Sequence, residues 1–271
     1  MKKNKIAILL TACVRPNGMV YTKLQDEEIR KQQYKESLCF YLHETTIPIV
    51  FVENTNTDFS AEFSKYINSG RLEYIAFNGN DFDKKKGKGY GEAMIIKQAC
   101  EKSTIIRNST YILKITGRIK LMNCNDIISS RVLRISNNIC RCSFLMEGFI
   151  ITTAMLIPMK MLEAFSEIAL IRINDQEGVF FEHVLHDFLR SQKDIILLPF
   201  VKPLIINGIS GTHNRPYIIP TRTENIYMNI NGLSFFYRCK DKLILSVLFR
   251  LLKKILNIFC RVAKFRLREC Y

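Results

Sequence analysis

Short continuous apolar runs alternate along this chain with segments whose apolar residues recur at helical spacing, and that alternation constrains the fold more than any other feature. Residues 6–14, 47–52, 72–77 and 111–115 read as strands buried on both faces, the pattern of a parallel sheet. Between them, 26–43 spaces Ile29, Gln33 and Phe40 along one helical face, and 60–69 and 92–102 read as further helices. Beyond them, 139–144, 149–153 and 195–198 read as strands, and 160–168 and 177–191 as helices. The expectation is an α/β fold, an open and mostly parallel sheet flanked by helices.

The chain has 271 residues, 48% of them hydrophobic, which is enough to bury one large core. We expect one domain over 1–237 and a separate tail over 238–271. The tail carries ten Lys and Arg against Asp241 and Glu269, so about half of the overall +15 charge lies in it. Nine cysteines, without a CxxC pair, signal neither a disulfide framework nor a structural zinc site, and fit reduced thiols in a cytoplasm. After Met1-Lys-Lys-Asn-Lys the apolar run is short for a signal sequence, so it is read as the first strand.

In open α/β sheets ligands sit beyond the carboxyl ends of the strands, and here those ends are polar. The first strand leads into Thr11, Arg15 and Pro16, a hydroxyl and a guanidinium able to hold a base edge and a phosphate. The second leads into Glu53 and Asn54, suited to ribose hydroxyls or a base. Both exits read equally well as turns. The segment Asp83-Lys-Lys-Lys-Gly87-Lys88-Gly89-Tyr90-Gly91-Glu92 combines glycines with a following helix start, the makings of a diphosphate cradle, although it is neither a Walker loop nor a dinucleotide fingerprint. A solvated lysine loop is the alternative there, and Glu92 could instead cap the helix. Lys114, Gly117 and Arg118 close the fourth strand. No Asp-x-Asp stands at the end of the fourth strand, so these two cations are expected to neutralise a leaving diphosphate without a divalent metal, and no cofactor is expected.

Together, Leu10-Thr11-Ala12, Val52-Glu53-Asn54, Gly87-Lys88-Gly89-Tyr90-Gly91-Glu92, Lys114-Ile115-Thr116-Gly117-Arg118 and Gly208-Ile209-Ser210-Gly211-Thr212 resemble small bacterial capsule and O-antigen glycosyltransferases of GT-A-like type, over roughly 5–215. The resemblance implies a GT-A-like fold, a nucleotide-sugar donor and a lipid-linked or glycan acceptor. It departs from the family at Ile119, where an aromatic residue is usual.

Sugar transfer with inversion needs a carboxylate to take the acceptor's proton. Glu182 is the first choice, Glu147 and Asp175 are alternatives, and Asp175 also reads as a helix cap. His183 and His186 read as helix residues rather than as metal ligands. Ser210 and His213 lie in a polar segment that could close over the diphosphate. In the tail, Leu248, Leu251, Leu252, Ile255, Phe259 and Val262 form one face, with Arg250, Lys253, Lys254, Arg261 and Lys264 around it. Such a basic amphipathic helix suits an anionic membrane surface and predicts peripheral attachment to the inner face of the plasma membrane. No nucleic-acid recognition motif accompanies the basic charge, so nucleic acid is not an expected partner. A non-catalytic scaffold that binds nucleotide-sugar remains the alternative to an enzyme, and oligomeric state is left open.

Overall fold

The computed structural model describes residues 5–128 and 138–238, with 244, 247–249, 251, 252, 254 and 255. In chain order the elements are β1 (Ile6–Ala12), α1 (Glu27–Glu44), β2 (Ile49–Glu53), α2 (Ser64–Asn68), β3 (Leu72–Ala76), α3 (Gly87–Lys102), α4 (Thr104–Arg107), β4 (Tyr111–Thr116), β5 (Lys120–Leu121) and α5 (Cys124–Ile127). They continue as β6 (Ile139–Met146), β7 (Phe149–Pro158), α6 (Met159–Arg172), α7 (Phe181–Ser191), β8 (Ile196–Pro199), β9 (Ile206–Asn207) and α8 (Arg222–Arg238). Seven strands form one sheet in the order β3-β2-β1-β4-β7-β6-β8. The strands β3, β2, β1 and β4 run parallel, β7 is antiparallel to both its neighbours, and β8 is parallel to β6. The expected α/β class and mostly parallel sheet are therefore present. Strands β5 and β9 pair separately.

Strand periodicity divides the core into two layers. Ala7 and Leu9 of β1 join Val50, Val52, Ile96, Phe165, Phe181 and Leu185 on one face, while Ile8 and Leu10 join Phe51, Tyr34, Leu38 and Tyr41 on the other. Helices α3, α6, α7 and α8 thus cover one face, and α1 covers the other. The described cysteines Cys13, Cys39, Cys100, Cys124, Cys140 and Cys142 are free thiols.

Several boundaries differ from the expected ones, each for a local reason. Strand β1 stops at Ala12 because the N–H of Cys13 donates to the Tyr34 hydroxyl (2.9 Å) and its carbonyl accepts from Arg30 Nε (2.9 Å), so Cys13 leaves the ladder. Helix α3 begins at Gly87, five residues before the expected start. The expected 177–191 helix is broken, since Gly178 is left-handed (φ 75°) and Phe180 is extended, so α7 starts at Phe181. Helix α8 carried no expectation, because Asn225, Asn229 and Asn231 interrupt its apolar spacing. Its packing nevertheless uses one of them: Asn229 Oδ1 accepts the N–H of Phe144 at 3.1 Å.

Of the expected tail, residues 239–243, 245, 246, 250, 253 and 256–271 lie outside the described residues, including Arg250, Lys253, Phe259, Arg261, Val262 and Lys264. The described residues from 244 to 255 are helical, and Phe249 stacks on Tyr237 with ring centroids 5.6 Å apart. Ile244, Val247, Leu248, Leu251 and Ile255 are exposed. Among the described residues no helix is long and apolar enough to cross a membrane.

Candidate functional site

A cleft of about 160 Å³ opens at the carboxyl ends of β1, β2 and β4. Its floor holds Thr11, Ala12 and Cys13 from β1 and its exit, Asn54 after β2, Thr116 and Arg118 from the end of β4, and Thr152 and Thr153 from β7. Lys88, Gly91 and Glu92 of α3 and Glu182 of α7 form one wall, Arg30 and Tyr34 of α1 the opposite one. Gly211, Thr212 and Tyr217 roof it. That roof is a folded-back segment in which Ile209 bridges Pro216 and the N–H of Ser210 donates to the Arg215 carbonyl (2.8 Å). The N–H of Lys23 donates to the Gly211 carbonyl (2.8 Å), and Lys88 Nζ donates to Thr212 Oγ1.

A polar chain runs under the cleft. Lys114, fully buried on β4, forms an ion pair with Glu92 and donates to the Thr152 carbonyl at 2.7 Å. The Thr11 hydroxyl donates to the same Glu92 oxygen at 3.1 Å, and the Thr152 hydroxyl donates to Glu182 Oε1 at 3.0 Å. Of the two cleft carboxylates, Glu92 is therefore matched by a cation, whereas Glu182 meets a neutral hydroxyl. Across from them Arg118 is 7% exposed, with one guanidinium nitrogen donating to Gln33 Oε1 and to the Ile209 carbonyl, both at 3.1 Å, while its Nε is buried without a partner. Asn54 is 1% exposed and its Oδ1 likewise lacks a partner. Buried polar atoms left unpaired are costly, and these two belong to residues lining the cleft. Burial pushes the Cys13 thiol up to about 11, so at neutral pH it is a neutral wall rather than a nucleophile. Burial also raises the Tyr217 phenol.

Of the residues expected from sequence, Thr11, Asn54, Lys88, Glu92, Arg118 and Glu182 line this cleft. Others occupy different places. Lys114 lies below the floor with its ammonium held by Glu92, so it does not face a diphosphate. Its position on β4 explains this: Ile112 lies in the α3 and α7 layer, and period 2 turns Lys114 to the same face, against the Phe181 ring at 5.8 Å. Glu53 is fully buried. Its Oε1 accepts the N–H of Val14 (2.9 Å), and its Oε2 accepts the N–H groups of Thr55 and Thr57 (2.8 Å each), so it organises the strand exits and leaves nothing for ribose. Arg15 donates to the Thr55 carbonyl in the same framework. Gly117 brings backbone to backbone: its N–H donates to the Thr11 carbonyl at 2.9 Å, and a Cβ there would sit 2.7 Å from that oxygen. Glu147 lies exposed in the turn between β6 and β7, His213 is exposed on the roof, and Ser210 shapes the roof without lining the cleft.

The expected cradle is the first turn of a helix whose N-terminus is already occupied by the protein's own carboxylate. Asp175 is 2% exposed, and the N–H groups of Lys88 and Gly89 lie against it, though neither oxygen completes a hydrogen bond of ordinary geometry. A Cβ on Gly87 would fall within 1.9 Å of the Asp175 carboxylate, and one on Gly89 within 2.9 Å of Phe181. The glycines let α3 close on the Asp175 turn and α7, and only Gly91 of the three reaches the cleft. Asp175 is thus an anchor for α3, outside the cleft, and burial raises it to about 6. Arg30, Tyr34, Thr152 and Thr153 escape the sequence pattern because they stand within elements rather than at strand ends, and Tyr217 because it lies in the irregular segment between β9 and α8. His183 packs against the Phe149 and Phe180 rings and His186 is buried beside Phe235 and Phe236. Among the described residues no three His, Cys, Asp or Glu side chains gather as a metal site.

No protein-family model matches this chain, and no curated protein does. Solved structures with a similar course include the inositol-1-phosphate CTP transferase of T. maritima, 10% identical over 88% of this chain and 98% of that one, with a TM-score of 0.46. The galactosyltransferase LgtC, solved with donor and acceptor sugar analogues, is 10% identical over 71% of this chain and 73% of its own, at 0.42. S. aureus TarS residues 1–349, solved with UDP, is 10% identical over 93% and 70% respectively, at 0.39. Likeness at this level carries no chemistry to individual residues.

Two predictions follow from the buried groups. Lys114→Met leaves the Glu92 carboxylate without its cation and is expected to cost about 3 kcal/mol in urea unfolding, most of it recovered in Lys114→Met/Glu92→Gln; an undiminished loss in the double variant rejects the pairing. Asp175, raised from 3.8 to about 6 in the folded chain, favours folding below pH 3.8 and withdraws that support as pH rises through about 6. The difference in unfolding free energy between Asp175→Asn and wild type, from urea titrations, should therefore shift in the variant's favour between those values, by at most about 3 kcal/mol, and a pH-independent difference counts against the assignment.

Proposed function

We propose that this chain is a glycosyltransferase that moves a sugar from a nucleotide-diphosphate donor to a lipid-linked or glycan acceptor in the making of a bacterial surface polysaccharide, of capsule or O-antigen type. The observation that carries the reading is the gathering, in the lining of one strand-end cleft, of the cations Arg118 and Lys88 and the carboxylate Glu182. The sequence resemblance to capsule and O-antigen enzymes supplies the biological setting.

In this reading the acceptor hydroxyl lies against Glu182, which takes its proton as the oxygen bonds to the anomeric carbon. The bond from that carbon to the diphosphate breaks, and its electron pair leaves with the diphosphate. Arg118, whose Nε has no protein partner, and Lys88 receive the developing charge. Asn54, with an unpaired Oδ1, contacts the nucleotide. Fixed cations at the leaving group are the basis for proposing that the transfer needs no divalent metal.

A thermal-shift screen over UDP-, GDP-, CMP- and dTDP-sugars identifies the donor, since a ligand of the folded state raises the melting temperature with its concentration. With that donor, Arg118→Ala should lower turnover about a hundredfold, corresponding to about 3 kcal/mol of barrier. Wild-type turnover in the variant rejects the role, and donor binding without any transfer favours a binding scaffold. EDTA should leave turnover intact, and a loss restored by Mg²⁺ or Mn²⁺ would refute the metal-free scheme.

We also propose attachment through the tail to the cytoplasmic face of the plasma membrane. The exposed stripe of Ile244, Leu248, Leu251 and Ile255, at spacings of four and three residues, and the ten tail cations support it. The full chain should sediment with anionic liposomes, more weakly at high salt and with neutral lipid, whereas a chain ending at Arg238 should stay in solution and keep its donor-induced thermal shift. Equal behaviour of the two chains would overturn the attachment.

A further inference from the structure

Two guanidinium groups meet beneath the roof of the cleft. Arg30 of α1 is 5% exposed and Arg118, just past β4, is 7% exposed, and both line the cleft together with Gly211. A Cβ on Gly211 would stand 2.5 Å from Arg118 Nη2 and 3.6 Å from Arg30 Nη1, so the two nitrogens converge on one point. Arg30 commits every N–H but one: Nε and Nη2 donate to the Cys13 carbonyl, Nη2 to the Tyr34 hydroxyl and Nη1 to the Leu24 carbonyl, which leaves a single N–H on Nη1. Arg118 commits only Nη1, to Gln33 and Ile209, so its Nε and Nη2 edge has no partner. All of these acceptors are neutral. Among the described residues neither arginine forms an ion pair. Glu53, the carboxylate that acts with both arginines on the Cys13 thiol, is already occupied by the N–H groups of Val14, Thr55 and Thr57.

Like charges held together away from water repel, and both gain when an anion takes the place between them. A guanidinium edge with free N–H groups matches the oxygens of a phosphate. We propose that Arg30 and Arg118 share one anion beside Gly211, the diphosphate of the donor, which makes Arg30 a binding residue. The inference deepens the proposed function and rests on it for the identity of the anion. Arg118 offers a full edge and Arg30 a single N–H, so Arg118 grips the anion and Arg30 shares it. No positive φ calls for glycine at 211, so what the position requires is space. A methyl group there would stand between the two guanidinium groups.

The test titrates the full chain calorimetrically with inorganic pyrophosphate at constant ionic strength. Pyrophosphate should bind, and Gly211→Ala and Arg30→Gln should each weaken it about tenfold or more. Lys85→Met, at an exposed lysine outside the cleft, should leave it unchanged. Arg30→Gln also gives up bonds to Cys13 and Leu24, so its melting temperature without ligand is read alongside. If that falls, Gly211→Ala, which removes neither a charge nor a hydrogen bond, decides. A wild-type chain that does not bind pyrophosphate, or unchanged affinity in Gly211→Ala or in a fully folded Arg30→Gln, overturns the site. UDP, GDP, CDP and dTDP then serve as competitors: displacement of pyrophosphate by one of them supports the donor as the source of the anion, and pyrophosphate that stays bound beside all four overturns that assignment. Pyrophosphate binding that both variants lose, in a protein no nucleotide-sugar stabilises, keeps the anion site and rejects the transferase reading. A nucleotide-sugar thermal shift that Gly211→Ala leaves intact does the reverse.

Discussion

The arrangement depends on one ammonium group placed where water does not reach. Lys114 joins the parallel half of the sheet to the antiparallel half, because it stands on β4, holds Glu92 of α3 and donates to the carbonyl of Thr152 on β7. Taking a lysine and a glutamate out of water is expensive, and an ion pair in such a place is poor evidence of stability as such. What it supplies is position. Thr11, Glu92, Lys114, Thr152 and Glu182 form one hydrogen-bonded series, so Glu182 is tied through Thr152 of β7 to the ammonium on the neighbouring strand β4.

The same economy of space governs α3. A helix with Gly87 and Gly91 four residues apart shows a bare stripe, and here the stripe is pressed against Asp175 on one side and against Phe82 and Asn54 on the other. Asp175 fills the position at the helix N-terminus where an external anion would otherwise be drawn. The residues of α3 that line the cleft are instead Lys88, Gly91 and Glu92, with Arg118 among the other lining residues.

Much of this was legible in the sequence, and the rest was hidden for identifiable reasons. The apolar runs located the strands, and the rule that ligands gather at carboxyl ends located Thr11, Asn54, Arg118 and, through the following helices, Lys88, Glu92 and Glu182. Lys114 was placed at a strand end by position alone, although the alternation of Tyr111, Leu113 and Ile115 with Ile112 and Lys114 already turned it inward. Glu53 looked like a ligand for hydroxyls because carboxylates at strand ends often are. Its engagement by the N–H groups of Val14, Thr55 and Thr57 depends on a backbone path that spacing does not reveal. Arg30 and Tyr34 lie in the first half of α1, away from any strand end, and both bond to Cys13 where it leaves the sheet. Tyr217 arrives from 59 residues beyond the end of β7, the last floor strand, a separation no local pattern bridges.

The roof segment has a bearing on the order of events in synthesis. The floor and both walls are complete once residue 182 has been made, but the cover comes from 208–217 and is pinned by the carbonyl of Gly211 against Lys23 and Leu24, near the opposite end of the chain. A nascent protein therefore carries an uncovered cleft until its final quarter leaves the ribosome, and substrate can help to stabilise the fold only after that point. In the finished molecule none of the backbone bonds that hold this cover belongs to the seven-stranded sheet beneath it.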